Sequence, residues 1–288
     1  MSKLVVVALG GNALLRSNQK GTYQEQIANV TETCQALTDF LKRGHRLIIG
    51  HGNGPQVGNV MLQHEAGLKN FELPAMPMDF CVSETQGSIG YLIELGFKKV
   101  LAQENIDRNV VTLVTQVVVD KDDPMFKNPT KPVGPYYTKE EADAYAAQTG
   151  AIFHEDPRGR GWRKVVPSPQ PVKINNIEVV KTLTDAGHIV VTVGGGGIPV
   201  FLPIRYGIRV VATADHHLLL GREPAHLSHL FSSLLCGATH RLFGMGFAAQ
   251  LRRVSGGAGF CGVFGDRHRR RGAFAGASPS VAVCAVCG

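Results

Sequence analysis

Glycine-rich loops are the residues of this sequence best suited to chemistry. Three apolar runs, Leu4–Leu9, residues 45–49 and residues 188–193, continue directly into glycines. Because glycine has no Cβ, the backbone there can approach an anion closely and point successive N–H groups at it. We therefore predict a shared phosphate site built from these loops. Its candidate residues are Gly10, Gly11, Asn12, Gly52, Asn53, Gly54, Gly194, Gly195 and Gly196.

The glycine spacing excludes two common nucleotide-binding classes. The sequence has no G-x-x-x-x-G-K-S/T stretch, which excludes a P-loop protein. It also has no G-x-G-x-x-G after its first apolar run, which argues against a dinucleotide-binding fold. Any one loop taken alone is better explained by a tight turn. Three loops at matching strand ends favour anion binding.

Lys131, in the stretch Asn128-Pro-Thr-Lys-Pro, is the candidate cation for a migrating phosphoryl group. Phosphoryl transfer depends mainly on positioned reactants and positive charge, and the flanking prolines stiffen the backbone that presents the ammonium. The alternative is a lysine on an exposed loop. A second basic group surrounds Trp162, and anion binding and a solvated loop explain it equally well. Its members are Arg158, Arg160, Arg163 and Lys164.

The remaining candidates for acid–base or metal chemistry have structural explanations that we prefer. His51 could act as a base, but a histidine bonded to a neighbouring carbonyl is expected. Glu155 and Asp156 are expected to form salt bridges with the arginines rather than to bind a metal. The six cysteines lack the paired spacing of a metal site, and the terminal Cys284-x-x-Cys287 has no second pair. The sequence therefore predicts no metal ligands.

Apolar strands that alternate with amphipathic helices predict an α/β fold, with an open, mostly parallel sheet between helices. In such sheets the ligand site lies beyond the carboxyl ends of the strands, so the three loops should share one edge. A strand is also expected over residues 109–119. Residues 120–170 are rich in Pro, Lys, Asp and Gly and predict an irregular excursion with one helix at Lys139–Thr149. The other predicted helices cover residues 23–43, 56–66 (ended by Gly67), 81–95 and 177–186.

Residues 201–288 differ in composition from the rest of the chain. Residues 1–200 balance basic against acidic side chains, and the net charge of +7 comes entirely from the tail, which has ten arginines and no lysine. The tail shows no clean periodicity, so we predict an irregular C-terminal part. Its Arg267–Arg271 run resembles a polyanion-binding patch. A shifted reading frame in a G+C-rich gene, however, explains the composition of the whole tail better. We expect no nucleic-acid partner.

The apolar runs are too short to cross a bilayer, so we expect no membrane association. The N-terminal MSKLVVVALGG begins like a signal peptide, but its glycines come too early for the apolar region of one. A buried first strand and a cytoplasmic protein are the better interpretation.

Taken in order, the motifs of residues 3–200 resemble those of carbamate kinases, a branch of the amino-acid kinase family. The stretches that carry the resemblance are VVVALGGNALL, GHRLIIGHGNGPQVGNVMLQ, AMPMDF, QGSIGY, LVTQVVVDKDDPMFKNPTKPVGPYYT, EDPRGRGWRKVVPSPQPVKI and VVTVGGGGIPV. Together they are far more specific than any single glycine loop.

The resemblance implies reversible phosphoryl transfer between ATP and carbamate, through carbamoyl phosphate, with ADP as the other nucleotide, Mg²⁺ as cofactor and a place in arginine catabolism. It implies that Gly10, Gly11 and Asn12 meet the phosphoryl group, with residues 52–54 and 194–196 beside them. It also implies that Lys131 reaches that group from a small protruding subdomain, residues 120–170, that excludes water. A homodimer formed through the central sheet is implied as well.

The chain departs from the family after residue 200. The family's nucleotide-binding half has lysines in an Ile-Asp-Lys-Asp and a Gly-Ser-Met-x-Pro-Lys stretch, whereas this chain has no lysine after Lys181. Two further hypotheses therefore stand beside an active kinase: a non-catalytic remnant, and a weak polyanion binder acting through the tail. Within the enzyme class the rival is a kinase for another small acid, such as an acylated amino acid.

Overall fold

The computed structural model describes residues 2–16, 18–201, 209–210 and 281–286, with side chains up to residue 201 except that of Asn12. The helices are α1 (Gly11–Leu14), α2 (Tyr23–Lys42), α3 (Gly54–Phe71), α4 (Met78–Gln103), α5 (Lys139–Thr149) and α6 (Ile177–Asp185). The first six strands are β1 (Leu4–Leu9), β2 (Arg46–His51), β3 (Val110–Thr112), β4 (Gln116–Val119), β5 (Lys131–Tyr137) and β6 (Ile152–Glu155). The others are β7 (Trp162–Val166), β8 (Pro171–Ile174), β9 (Ile189–Val191), β10 (Ile198–Phe201), β11 (Arg209–Val210) and β12 (Val281–Val286).

The main sheet confirms the predicted α/β architecture. Its strand order is β12-β1-β2-β9-β3. Strands β1, β2, β9 and β3 are parallel, and β12 pairs with β1 in the antiparallel direction. Successive residues of β1 point to opposite faces and all but its first are buried. This double burial explains why the strand reads as a continuous apolar run.

The two faces of the main sheet are covered by different elements. Val5, Val7 and Leu9 pack in one core with apolar residues of α2 and α4. Val6 and Ala8 pack in a second core with residues of α6 and of a second sheet. Helices therefore lie on both sides of the sheet, as predicted, but one side also carries strands.

The predicted single strand over residues 109–119 is wrong. Residues 110–112 form β3 in the main sheet, whereas residues 116–119 form β4 in a second sheet of order β11-β10-β4-β8. The chain changes sheets at residues 113–115. A largely apolar run predicts extended strands, but it does not show which strands they pair with.

The excursion over residues 120–170 is more regular than predicted. It contains a three-stranded antiparallel sheet of order β5-β7-β6 together with the predicted helix α5. Pro132 and Pro135 lie in β5, which is an edge strand, so their missing N–H groups cost no central ladder bond. The rings of Tyr137, Tyr145 and Phe153 pack together with centroids 5.4–5.9 Å apart.

The predicted bounds of helices α3 and α4 are wrong. Helix α3 does not end near Ala66 but continues through Gly67 to Phe71, and Glu72 follows in the left-handed conformation. A helical glycine costs only about 1 kcal/mol, and Leu73 packs within 3.7 Å of the position a Gly67 Cβ would take. Helix α2 agrees with its predicted bounds to within one residue and has a Thr22–Glu25 capping box at its start. Helix α4 extends the predicted helix at both ends.

Only short segments of the tail lie among the described residues. Strands β11 and β12 add regular structure to a part that was predicted to be irregular. Residues 202–208, 211–280 and 287–288, which include the arginine run, lie outside the described residues. Within the described part, no helix combines the length and apolarity that a transmembrane span requires.

Candidate active site

The three glycine loops meet at one edge of the main sheet. Strands β1, β2 and β9 are adjacent and parallel, so their carboxyl ends lie together. The N–H of Gly52 donates to the carbonyl of Leu9 over 2.9 Å, and the N–H of Thr192 donates to that of Ile49 over 2.8 Å. The structure thus brings together the loops that follow Leu9, His51 and Val193, as the sequence predicts.

The second and third loops touch so closely that glycine is required. A Cβ on Gly194 would lie 2.5 Å from the His51 ring, and one on Gly195 would lie 2.6 Å from the Asn53 side-chain amide. Val193, just before them, has φ of 56°, a left-handed conformation that a β-branched residue rarely adopts. Such strain concentrates at functional sites, where the surrounding structure must hold it in place.

Gln86 of α4 fixes the third glycine loop through hydrogen bonds. Its Nε2 donates to the carbonyl of Gly194 at 2.8 Å, and its Oε1 accepts from the N–H of Thr115 at 2.7 Å. The Thr115 hydroxyl in turn lies 2.6 Å from the Thr192 hydroxyl and accepts from the N–H of Val193 at 3.1 Å. Sequence reasoning did not single out Gln86 or Thr115. The signal was the QGSIGY stretch, which begins at Gln86.

Asn53 and the start of α3 form the next wall of the site. The Asn53 side chain is buried and donates to the Thr85 hydroxyl at 2.9 Å, so it does not cap its own helix. Gly54 begins α3, and the first turn of this 18-residue helix has no acidic residue. The N–H groups of a first helical turn lack intrahelical partners and favour a negative charge.

A cavity of about 130 Å³ lies between the glycine loops and the three-stranded sheet. Its charged lining residues are Lys131, Arg163 and Asp79, so cations outnumber anions there. Among the predicted site residues, Asn53, Gly54, Gly195, Gly196 and Lys131 line this cavity. Gly10, Gly11, Gly52 and Gly194 belong to the loops just described but are not among the residues that line the cavity.

Lys131 lies in the wall of the cavity. It is the first residue of β5, faces Val166 of β7 across the ladder, and lines the cavity opposite the loops. Within the described part of the chain its ammonium makes no hydrogen bond or ion pair. The charge is therefore free to meet a ligand.

Arg163 is the second cation that lines the cavity, and the sequence alone did not distinguish it from the neighbouring basic residues. Its guanidinium donates to the carbonyl of Gly134 at 2.8 and 3.2 Å and lies 5.2 Å from the Tyr136 ring centroid. Arg160 instead pairs with Asp156 at 2.9 Å, as expected, which holds the pKa of that carboxyl well below its usual value. Of the four basic residues around Trp162, Arg163 alone lines the cavity.

His51 is structural, as the sequence analysis preferred. Its side chain is buried, and its Nδ1 lies 2.9 Å from the carbonyl oxygen of Gly52, so that nitrogen carries the hydrogen. Burial lowers the pKa of His51 to about 4, against the smaller opposing effect of this hydrogen bond. The imidazole is therefore neutral near pH 7 and supports the loops through packing.

The fold and the loop arrangement agree with the comparisons to known proteins. The model of the amino acid kinase family matches residues 3–201, and the chain therefore belongs to that family. Its relatives include the carbamate kinase of Pyrococcus furiosus, 48% identical over 202 residues, which are 70% of this chain and 64% of that protein. They also include carbamate kinase 1 of Enterococcus faecium, 50% identical over 75% of this chain and 68% of that protein.

Solved structures give the same relationship. The carbamate kinase from Giardia lamblia bound to AMP-PNP is 40% identical, with a TM-score of 0.68, over 83% of this chain and 71% of that one. A structure from Aeropyrum pernix K1 is 35% identical with a TM-score of 0.70, over 81% of this chain and 70% of that one. The chain thus spans about two thirds of the length of these relatives, 64% for the protein from P. furiosus.

Proposed function

We propose that this chain is a carbamate kinase, which transfers a phosphoryl group reversibly between ATP and carbamate through carbamoyl phosphate. The observation that carries the proposal is the cavity in which Lys131 and Arg163 face the start of α3 and the third glycine loop. Relatives named carbamate kinase at 48–50% identity support the choice of substrate.

The cavity suits phosphoryl transfer because it supplies positive charge on two sides. In the direction of carbamoyl phosphate formation, a carbamate oxygen bonds to the γ-phosphorus while the bond to the departing ADP oxygen breaks. Negative charge then spreads over the equatorial phosphoryl oxygens. The Lys131 ammonium and the backbone N–H groups at Gly54 and Gly195 would face these oxygens. Fixed donors of this kind need no reorganisation during the reaction.

The reaction as proposed needs no general base among these residues. A carbamate oxygen is already ionised and can attack phosphorus directly. The buried, neutral His51 is consistent with this, since its Nδ1 is committed to the Gly52 carbonyl. The three-stranded sheet carries Lys131 and Arg163 and, as the proposed subdomain of residues 120–170, would shield the transferring group from water.

ATP, ADP and Mg²⁺ belong to the proposal, and the described residues provide only part of what they require. Asp79 is the one carboxylate among the residues that line the cavity. Mg²⁺ needs about six oxygen ligands and commonly takes several from substrate phosphates and water. One carboxylate does not make a site for the ion, so we derive no step through it. The expected nucleotide-binding half falls largely outside the described residues.

A non-catalytic anion binder is the second candidate function. The observation that favours it is the lack of any lysine after Lys181, in the part of the chain where the family resemblance implies two. Loss of one such charge typically lowers the rate by roughly a hundredfold to a thousandfold. The same cavity would then bind carbamoyl phosphate without turnover.

One experiment with two measurements separates these functions. Full-length chain is mixed with ADP, Mg²⁺ and carbamoyl phosphate, and ATP formation is followed with a coupled luciferase. In parallel, the thermal midpoint is measured with and without carbamoyl phosphate. ATP formation supports the kinase. A raised midpoint without ATP supports the non-catalytic binder, and neither effect would refute both.

We further propose that the protein is a cytoplasmic homodimer that acts in arginine catabolism. The dimer is supported by large apolar side chains exposed around the connection between α3 and α4. Phe71 is 76% exposed and Leu73 is 58% exposed. Large exposed apolar side chains close together in the chain favour an association surface. Sedimentation equilibrium on the purified chain would test the dimer, and a monomer at micromolar concentration would contradict it.

A further inference from the structure

A cluster of three possible metal ligands lies outside the cavity, between α3 and α4. The imidazole of His64, the thiol of Cys81 and the carboxylate of Glu84 bring their ligand atoms within 4.8 Å of one another. His64 lies on α3, whereas Cys81 and Glu84 are three residues apart on α4, so both project from one face of that helix. The two helices pack against each other, which holds the cluster together.

We propose that His64, Cys81 and Glu84 bind one divalent ion of the zinc type. Nitrogen, sulfur and carboxylate oxygen are the ligands that Zn²⁺ and its spectroscopic substitute Co²⁺ take in proteins. The proposal does not depend on the kinase activity. The sequence alone did not indicate this site, because its ligands come from two helices and follow no paired-cysteine spacing.

The distances are close to those that a tetrahedral ion needs. Bonds of about 2.0–2.3 Å to nitrogen, oxygen and sulfur set neighbouring ligand atoms roughly 3.3–3.6 Å apart. His64 Nε2 already lies 3.0 Å from Glu84 Oε2. The Cys81 sulfur lies within 4.8 Å of both these atoms and must approach them more closely to share an ion. Three protein ligands leave a fourth position for water.

The charges around the cluster also favour a cation. Burial, together with the negative charges of Glu84 and Asp79, raises the pKa of the Cys81 thiol. A bound divalent ion replaces the thiol proton and balances the charges of the Cys81 thiolate and of Glu84. Cys81 itself is buried, but the side chains of His64 and Glu84 are 23% and 38% exposed, and they provide the route of entry.

The site lies next to residues that shape the cavity. Asp79 and Val82, on either side of Cys81 in α4, line the cavity, and Thr85 follows Glu84 and accepts the hydrogen bond from Asn53. An ion held by His64 and Cys81 would therefore fix α3 to α4 beside the second glycine loop. We expect it to raise the thermal midpoint of the protein.

The test is titration of the metal-free, reduced full chain with Co²⁺, followed by displacement with Zn²⁺. We expect one Co²⁺ per chain, with the strong visible bands of tetrahedral cobalt and a thiolate-to-cobalt charge-transfer band. Removing a single outer-shell group already weakens metal sites by about 10–100-fold. Loss of a direct ligand in His64→Gln or Glu84→Gln should therefore weaken binding by at least ~100-fold. Cys81→Ala should abolish the charge-transfer band.

Control variants separate this site from other ligands in the chain. His154→Gln changes an exposed histidine elsewhere and should leave binding unchanged. A variant with Cys284→Ala and Cys287→Ala removes the C-x-x-C pair of the tail and should also bind normally. A charge-transfer band that persists in Cys81→Ala, or that disappears with the tail cysteines, would overturn the proposal, as would absence of binding. Should Cys81→Ala fail to fold by circular dichroism, the partly exposed His64→Gln decides the result.

Discussion

The side-chain amide of Gln86 donates a 2.8 Å hydrogen bond to the carbonyl of Gly194, although 108 residues separate the two in the chain. The same side chain accepts from the N–H of Thr115. Helix α4 thus fixes both the third glycine loop and the point where the chain changes sheets. The shape of the anion site depends on one buried glutamine as well as on the glycines themselves.

Replacing Gln86 by leucine should therefore destabilise the protein. The variant leaves the Thr115 N–H without its hydrogen-bond partner, whereas the Gly194 carbonyl loses one donor and keeps the N–H of Gly197. A buried unsatisfied group costs about 1–3 kcal/mol, and we expect the free energy of unfolding in urea to fall by roughly that amount. Gln103→Leu, on the exposed end of the same helix, is the control and should change stability by less than about 0.5 kcal/mol. Equal effects of the two variants would refute the supporting role of Gln86.

Gly194 and Gly87 should respond in opposite ways to alanine. A Cβ on Gly194 would lie 2.5 Å from His51 and 2.8 Å from Gln86, so both buried side chains must shift. Overpacking of this kind costs about 1–3 kcal/mol. Gly87 lies on the exposed face of α4 with no atom within 4 Å of an added Cβ, and its replacement should stabilise the helix by about 0.5–1 kcal/mol. Thermal and urea unfolding would measure both, and a neutral Gly194→Ala would show that the loops are not in close contact.

Lys131→Met should lower activity without loss of stability. Methionine keeps the length of the side chain but removes the charge, and loss of one such contact costs roughly a hundredfold to a thousandfold in kcat. Lys127→Met, an exposed position in the same excursion, should retain activity. The rate of ATP formation and the rise in thermal midpoint with carbamoyl phosphate would both be recorded. If Lys131→Met matched Lys127→Met in both measurements, Lys131 would have no role at the site.

The buried His51 should make stability depend on pH in mildly acidic solution. Its pKa is about 4 in the folded protein and near 6.5 when exposed, so the unfolded chain binds the extra proton between these values. Its contribution is complete above about pH 6.5 and is lost as the pH falls through about 4. The loss amounts to about 3 kcal/mol. Urea unfolding of the wild type and of His51→Gln across this range would show a steeper slope for the wild type. Parallel slopes would contradict the assignment.

Much of the main sheet could be predicted because its signals are local. Leu4–Leu9 is buried on both faces and therefore apolar at every position, and the glycines after it mark where the strand ends. Adjacent parallel strands then place the glycine loops at one edge without further information. Lys131 was identified from its stiff proline context, and the structure places it in the wall of the cavity.

The errors arose where distant contacts decide the structure. The apolar residues 110–112 and 116–119 look alike in sequence, yet they pair with different sheets. The prolines of β5 suggested an irregular segment, because their tolerance depends on the strand lying at an edge. The roles of Gln86 and Arg163 depend on partners far along the chain, Gly194 and Gly134, which no local pattern reveals.

The passage of the chain between its two larger sheets has mechanical consequences. Thr115 lies in this connection and forms hydrogen bonds with Gln86, Thr192 and Leu113, which hold the connection in place. The three-stranded sheet and α5 are attached differently, through the packing of β5 on α3 and the hydrogen bond from Tyr145 of α5 to Glu65 of α3. Under a pulling force we expect the three-stranded sheet to detach first, at low force. The connection at Thr115 should break only when the two larger sheets unfold. Optical-tweezer traces would then show two ruptures of unequal height.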